Sequence, residues 1–188
     1  MNPNQIEVKI FNADLVVKLG LFNFLRSEDS LKDDKISILP EKNSELSLYL
    51  PYQTAGALAF DLFAVIENPI VLHTWDPPIR IPTGIAIQAW NEDQEFGLLV
   101  FIRSSLSSLG IGLSNFVGII DSDYQGEILC SIINRNFSDT PYTISPGERI
   151  AQALFIPKIQ GVKARVVNEE FSRPSYRDSN GFGTTGKF

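Results

Sequence analysis

Residues 116–127 read Phe116-Val-Gly-Ile-Ile-Asp121-Ser-Asp-Tyr124-Gln-Gly-Glu127, an apolar run that ends in two aspartates, a tyrosine and a glycine. The apolar run predicts a strand, and the Asp and Gly residues predict a tight turn into a second strand. Under the period-2 alternation of a strand, Asp121 and Asp123 point to the same face. An acid at a strand end, beside an aromatic ring and backbone amides, is suited to holding a water and a ligand. The alternative is an Asp-rich hairpin turn with solvated carboxylates.

Short apolar runs of this kind recur along the chain from about Leu48 onward. They are rich in Ile, Val and Phe, and Gly or Pro separates them at short intervals. This spacing is typical of an all-β sandwich, jelly roll or barrel, and we find neither an internal repeat nor the βαβ alternation of a parallel sheet. The clearest predicted strands are residues 78–84, 85–90, 96–102, 127–134 and 149–156.

The two ends of the chain follow other patterns. Ile6-Glu-Val-Lys-Ile10 alternates apolar and charged residues and predicts a strand. Residues 14–25 fit helix and strand templates about equally, although Gly20 lowers the case for a helix. Residues 26–47 are mostly charged and polar, which predicts a loop or a short hairpin. Residues 172–188 are rich in Gly, Ser and Thr, so we expect a mobile tail unless a ligand orders it.

Length and charge narrow the possible functions. With 188 residues the chain is expected to form a single domain with a substantial core. Its net charge of −6 argues against a general nucleic-acid binder, because such proteins need a basic surface. No apolar run is long enough to cross a bilayer, and the N-terminal residues do not resemble a signal peptide. We therefore expect a cytoplasmic protein with neither nucleic acid nor membrane as a partner.

The chain has one histidine and one cysteine, which excludes several enzyme classes. His73 and Cys130 cannot supply the zinc ligands of a nucleobase deaminase within one chain. No nucleophile elbow lies near His73, which argues against a Ser-His-Asp triad. Cys130 lies in the apolar run Ile-Leu-Cys-Ser-Ile-Ile, and we interpret it as an inert core thiol.

Three further segments carry polar groups beside turns. Arg103-Ser-Ser-Leu-Ser-Ser-Leu-Gly110 follows a strand, where an arginine, hydroxyls and free amides can grip phosphate oxygens; the alternative is an ordinary Ser-rich loop. Residues 145–152 form a Pro-Gly turn that feeds a strand, so Arg149 and Gln152 have either a binding or a structural role. Residues 177–186 form either a cap over a phosphate-bearing ligand or a disordered end.

Taken in order, these segments resemble the five motifs of the trimeric dUTPase family, the dUTP pyrophosphatases. The matching segments are Ala59-Phe-Asp-Leu-Phe-Ala64, Arg103-Ser-Ser-Leu106, Gly118 to Glu127, Pro146 to Gln152 and Arg177 to Gly186. The match covers about residues 50–188 and the opening strand, whereas residues 11–46 look like an insertion. Ala59, Asp178 and Asn180 stand where the family usually has glycine.

The resemblance implies a jelly-roll-like, distorted β-barrel that assembles as a homotrimer, with active sites at subunit junctions. The implied reaction is hydrolysis of dUTP to dUMP and pyrophosphate, which keeps uracil out of DNA and supplies dUMP for thymidylate synthesis. Asp121 would deprotonate the water that attacks the α-phosphorus. Tyr124 would pack on the deoxyribose and exclude a 2′-hydroxyl. Mg²⁺ would be held mainly by the substrate phosphates, with Asp61 at most an outer-sphere partner.

The resemblance also implies which residues bind the rest of dUTP. The residues expected to line the uracil pocket are Asn115, Ile119, Ile120 and Leu129. Those expected to position the phosphates are Arg103, Ser104, Ser105 and Gln152. In the tail, Phe182 would stack on the base, and the residues expected to reach the γ-phosphate are Arg177, Gly183, Thr184 and Thr185.

Two alternatives remain open. The related dCTP deaminases share an Arg-Ser-Ser-Leu segment and the trimeric fold, but they place a catalytic carboxylate on the strand after the third motif. Residues 128–134 of this chain carry no carboxylate, which argues against that activity. The second alternative is a dUTPase-like protein that acts as a nucleotide-gated binding or regulatory module, with residues 11–46 as its docking surface.

Overall fold

The computed structural model describes residues 5–21, 23–26, 46–50, 52–159 and 161. The chain divides into two units, Met1–Lys158 and Ile159–Phe188, and the features below belong to the first. Its elements are β1 Gln5–Ile10, α1 Ala13–Leu19, β2 Asn23–Arg26, β3 Leu46–Tyr49, β4 Phe60–Phe63, β5 Ile70–Leu72, β6 Ile79–Pro82, β7 Ile85–Trp90, β8 Glu95–Ile102, α2 Ser104–Ser107, β9 Ile111–Leu113, β10 Gly118–Ile120, β11 Leu129–Asn134, β12 Tyr142–Ile144 and β13 Arg149–Pro157. Neither of these two helices has the length and apolar character needed to cross a membrane.

The described strands pair antiparallel in four sheets. The largest has the order β1-β7-β8-β13-β4, and β10 also pairs with β8. A three-stranded sheet has the order β6-β11-β9, and two strand pairs are β12-β5 and β2-β3. The fold is therefore all-β and jelly-roll-like, as the sequence predicted.

The strands predicted from apolar runs are confirmed. The opening run forms β1, and the five runs quoted above form β6, β7, β8, β11 and β13. Alternation shows clearly in β11, where Cys130, Ile132 and Asn134 are buried while Leu129 is exposed. One face of that strand therefore packs into the core, as period-2 alternation requires.

A cluster of buried aliphatic side chains forms the core. Phe60, Ile81, Ile132 and Ile150 are each 0% exposed. Cys130 belongs to this cluster, and its burial raises the pKa of the thiol to about 12. The prediction that Cys130 lies in the core is therefore confirmed.

Residues 14–25, which were ambiguous in the sequence, contain both a helix and a strand. Helix α1 ends before Gly20, whose φ of 62° is a left-handed conformation that favours glycine, and β2 begins three residues later. Leu15 and Val16 of α1 are buried in the core, and Leu19 and Leu21 pack against it. The first part of the predicted insertion is therefore built into the core. Strand β2 pairs with β3, and residues 27–45 between them lie outside the described residues.

The two strands predicted around the turn at residues 116–127 form, but they do not pair with each other as a hairpin. Strand β10 pairs with β8, whereas β11 pairs with β6 and β9, so the two strands belong to different sheets. Asp121 and Asp123 lie in the connection rather than on a strand, and the Tyr124 amide donates to the Asp121 carbonyl at 3.1 Å. Strand alternation therefore does not orient these two carboxylates.

Candidate active site

The turn that follows β10 carries the predicted catalytic acid. Asp121 is exposed, and its carbonyl accepts the Tyr124 amide. The Tyr124 hydroxyl donates to the Glu127 carbonyl at 3.1 Å, while the side chain stays 42% exposed. A Cβ at Gly126 would lie 2.6 Å from Cζ of Tyr124, so the ring needs glycine beneath it. The turn thus presents a carboxylate and an aromatic ring together.

Residues 83–85 anchor the end of this turn to the core. The Glu127 carboxylate accepts the Gly84 amide at 2.8 Å, and the Thr83 hydroxyl donates to the Ile128 carbonyl at 2.7 Å. Gly84 has a φ of 76°, and a Cβ there would lie 2.9 Å from both Val16 and Val65. Glycine is therefore required at this position, and it leaves the amide pointing at Glu127.

Ser122 is held on both its side chain and its backbone. Its hydroxyl donates to Glu95 Oε2 at 2.8 Å, and Lys158 Nζ contacts the same oxygen at 2.6 Å. Gln88 Nε2 donates to the Ser122 carbonyl at 3.3 Å. The hydrogen bond from Lys158, followed by that from Ser122, lowers the pKa of Glu95, and the same bond to Glu95 raises the pKa of Lys158.

The predicted uracil-pocket residues flank this turn on two strands. Asn115 is exposed just before β10, and its carbonyl accepts the Val117 amide at 2.7 Å. Ile119 on β10 is 70% exposed and Leu129 at the start of β11 is 45% exposed, whereas Ile120 packs against the core. Ile119 and Leu129 therefore present exposed apolar side chains on the strands that precede and follow the turn.

The predicted phosphate-binding residues gather around a buried carboxylate. Asp61 on β4 is 4% exposed, and its Oδ1 lies 3.1 Å from Arg103 Nε while its Oδ2 lies 3.3 Å from Arg149 Nη1. The same Nη1 donates to Gln53 Oε1 at 2.6 Å. Two guanidinium groups therefore compensate the charge of the Asp61 carboxylate, which would be costly to bury alone.

The remaining predicted phosphate ligands lie beside this ion pair. Gln152 on β13 is paired with Asp61 on β4 and with Phe101 on β8. Ser104 and Ser105 are exposed on α2, immediately after Arg103. The structure thus brings the second and fourth motifs together at one end of β8. We call this group the basic end; its residues are Asp61, Arg103, Ser104, Ser105, Arg149 and Gln152.

The described residues offer little to a metal ion. Both oxygens of the Asp61 carboxylate are engaged by arginines, and the described part of the chain contains no group of three or more His, Cys, Asp or Glu side chains suited to a cation. Because both its oxygens are engaged by arginines, Asp61 does not fit the role of an inner-sphere ligand.

The connection between β10 and β11, residues 121–128, carries Asp121 and Asp123, and we call it the acidic turn. The acidic turn and the basic end are far apart within one chain. Ile120 is paired with Leu98, the fourth of the eight residues of β8, and a Cβ at Gly97 would lie 2.7 Å from the Ile120 carbonyl oxygen. Arg103 follows the other end of β8. At 3.3–3.4 Å per residue, Leu98 and Arg103 are roughly 17 Å apart. The two groups therefore do not contact each other directly within a single chain.

The predicted ligands in the tail lie outside the described residues. They are Arg177, Phe182, Gly183, Thr184 and Thr185.

A family model described as dUTPase matches residues 47–186, which is well over half of the chain. The chain belongs to the dUTPase family. Similar proteins include the deoxyuridine 5'-triphosphate nucleotidohydrolase of Photorhabdus laumondii, 37% identical over 158 residues that cover 84% of this chain and 99% of the relative. The enzyme of that name from Nitrosospira multiformis is 43% identical over 147 residues, which cover 77% of this chain and 93% of the relative.

Solved structures support the same fold. A Staphylococcus bacteriophage 80alpha dUTPase variant with dUpNHpp has a TM-score of 0.63 and 21% sequence identity, over 98% of this chain and 99% of that one. A dUTPase variant from phage phi11 of S. aureus, described with a structural Mg(II) ion, has a TM-score of 0.56 and 17% identity, over 88% of this chain and 97% of that one.

Sequence reasoning missed the residues that hold the site in place. Glu95 and Lys158 meet although 63 residues separate them, and the partner of Arg149, Gln53, is 96 residues away. Ser122 lies inside the third motif, but nothing in the sequence gives a reason to assign it a role. No local pattern marks such long-range polar contacts.

Proposed function

We propose that this chain hydrolyses dUTP to dUMP and pyrophosphate by attack of water on the α-phosphorus. The proposal rests on membership of the dUTPase family and on one observation, the ordered turn that presents Asp121 beside Tyr124. The reaction would keep uracil out of DNA and supply dUMP for thymidylate synthesis.

Asp121 acts as the general base in this proposal. Its carboxylate is exposed, while its backbone carbonyl is tied to the Tyr124 amide, so the group is accessible but held in place. It would orient the attacking water and take its proton. The Tyr124 ring, fixed by its hydroxyl bond to Glu127, would lie against the deoxyribose and leave no room for a 2′-hydroxyl.

The basic end would bind the triphosphate. Asp61 contacts Nε of Arg103. Within the described part of the chain its two Nη nitrogens have no such contact, so they are available to bind phosphate oxygens. Ser104, Ser105 and Gln152 add neutral donors beside the arginine. Mg²⁺ bound to the phosphates would offset part of their charge and leave Asp61 at most an outer-sphere role.

We propose that the active site forms between subunits of a homotrimer. The acidic turn and the basic end are roughly 17 Å apart along β8, which favours a compact site built from the turn of one chain and the basic end of another. The turn of one subunit would receive the uridine part, and the basic end of a neighbour would hold the phosphates.

The base would lie against the surface next to the turn, and the tail would close over it. The residues proposed to line the uracil pocket are Asn115, Ile119, Ile120 and Leu129. In the tail of the third subunit, Phe182 would stack on the base, and the γ-phosphate ligands would be Arg177, Gly183, Thr184 and Thr185.

Pyrophosphate release from dUTP, dCTP and UTP, with and without Mg²⁺, tests this function. We expect rapid release from dUTP with Mg²⁺ and very little from the other two nucleotides. Ammonia released from dCTP would instead indicate a deaminase. Tight dUTP binding without any turnover would favour the nucleotide-gated module and contradict the proposal.

A further inference from the structure

Ser122, which lies between Asp121 and Asp123, is held by side chains from neighbouring strands. Glu95 on β8 and Gln88 on β7 contact Ser122, and Lys158, directly after β13, contacts Glu95. We propose that Glu95, Lys158 and Gln88 position the Asp121 carboxylate by holding Ser122; we call the three side-chain contacts Ser122–Glu95, Lys158–Glu95 and Gln88–Ser122 the Ser122 clamp. The inference rests on the proposed function, because it assigns positioning residues to that reaction. None of the three clamping side chains belongs to the segments that match the five motifs.

Glu95 ties the turn to two strands at once. Its Oε2 accepts both the Ser122 hydroxyl at 2.8 Å and Lys158 Nζ at 2.6 Å. The Lys158 amide also donates to the Glu95 carbonyl at 2.8 Å, directly beyond the last β8–β13 pair, Phe96 with Pro157. The ion pair therefore sits on a regular strand pairing, which fixes where its carboxylate lies.

Gln88 holds the backbone of the same residue. Its Nε2, on β7, donates to the Ser122 carbonyl at 3.3 Å, while the hydroxyl of Ser122 is held from β8. A residue fixed through both its carbonyl and its side chain has little freedom in φ and ψ. The adjacent peptide bond, which sets the direction of Asp121, is restricted with it.

Lys158 also balances the charge of this region. Asp121 and Asp123 both contribute electrostatically to the raised pKa of Lys158, in addition to the larger effect of Glu95. One ammonium group therefore contacts Glu95 and also acts electrostatically on the two aspartates. Without that group, Glu95 and the two aspartates would repel one another, and the bond from Ser122 to Glu95 would weaken.

The clamp is placed to affect catalysis more than stability. The side chains of Glu95 and Lys158 are 45% and 49% exposed, and exposed ion pairs contribute little to the free energy of unfolding. A small displacement of a catalytic group, in contrast, has a large effect on rate. The expected signature is a lower kcat in a protein that remains folded.

Steady-state kinetics of the full-length chain test the clamp. We expect Glu95→Ala and Ser122→Ala each to lower kcat roughly tenfold, with KM for dUTP changed less than about twofold. The double variant should be no slower than the slower single variant, because both remove the same link. Ser122→Thr, which keeps the hydroxyl, should retain most activity. Glu67→Ala, at an exposed position, is the matched control and should behave as the parent.

Hydrogen exchange gives a second readout that does not depend on turnover. The Tyr124 amide, bonded to the Asp121 carbonyl, should exchange faster in Glu95→Ala than in the parent or in Glu67→Ala. Unchanged kcat and unchanged exchange in the clamp variants of an active parent would overturn this inference and leave the proposed function intact. A parent chain that does not hydrolyse dUTP would overturn both.

Discussion

Asp121 and Arg103 lie at opposite ends of strand β8. Asp121 follows the residue that is paired with Leu98, and Arg103 follows the last residue of the strand, so about 17 Å of extended chain separates them. This separation is one basis for the proposal that Asp121 and Arg103 of one site come from different chains.

Asp61→Asn should weaken both the fold and the binding of phosphate. The substitution leaves Arg103 and Arg149 without their anionic partner, and both guanidinium groups are partly exposed, so water recovers part of the loss. We expect the free energy of unfolding to fall by about 2 kcal/mol and KM for dUTP to rise several-fold. Urea denaturation and steady-state kinetics measure the two effects. Asp93→Asn, at an exposed carboxylate, is the control.

Gly126→Ala should reduce discrimination against ribonucleotides. The new Cβ would overlap the Tyr124 ring and displace it from the position fixed by its bond to Glu127. We expect the ratio of kcat/KM for dUTP to that for UTP to fall about tenfold. Gly56→Ala, where a Cβ meets nothing within 4 Å, is the matched control. An unchanged ratio in Gly126→Ala would show that the ring does not select the sugar.

Tyr142→Phe should destabilise the protein in a way that depends on pH. Burial, followed by the hydrogen bond to Glu148, raises the pKa of Tyr142 from 10.0 to about 12. The pKa of Tyr142 is higher in the folded protein than in the unfolded chain. The stabilisation that its protonated hydroxyl provides is therefore fully present below about pH 10 and is lost as the pH rises towards 12. We expect a loss of about 1 kcal/mol at neutral pH that shrinks above pH 10. A difference from the parent that stayed constant through this range would contradict the assignment.

Val16→Ala should show that helix α1 is part of the core. Val16 is 1% exposed and lies against Gly84, whose amide anchors the turn. We expect the free energy of unfolding to fall by about 2 kcal/mol, with kcat nearly unchanged. Val71→Ala, at a strand position that is 46% exposed, should cost about 0.5 kcal/mol or less. Equal losses in the two variants would contradict the packing of α1.

The strands were predictable from the sequence because their apolar periodicity reflects burial of one face. The structure of residues 14–25 was not predictable, because a short apolar run fits helix and strand templates equally well. The helix ends just before Gly20, and a strand follows it. The pairing of the strands on either side of residues 121–128 was not predictable for a related reason. Two strands joined by a tight turn usually pair, but here residues 121–128 connect strands of different sheets, and pairing partners far away in the chain decide the outcome.

The site was predictable to the extent that its residues lie in the matched segments. Arg103, Gln152 and Asp61 were each identified, and the structure brings them together. Their mutual arrangement was not predictable, because Asp61 is engaged by arginines 42 and 88 positions away. The Ser122 clamp likewise depends on contacts between distant strand ends, which leave no local pattern in the sequence.

Mixing two inactive variants tests the shared site most directly. Asp121→Asn should lower turnover by about 10²–10⁴-fold while dUTP still binds, because the amide cannot accept the proton. Arg103→Gln should also be inactive, through loss of phosphate binding. Co-refolded at equal amounts, the two should recover up to about a quarter of the parent activity, the share of sites that random assortment leaves with both native residues. Recovery of that order in a trimer by light scattering is the result we predict. No recovery, or a monomeric parent, would contradict a site built from Asp121 of one chain and Arg103 of another.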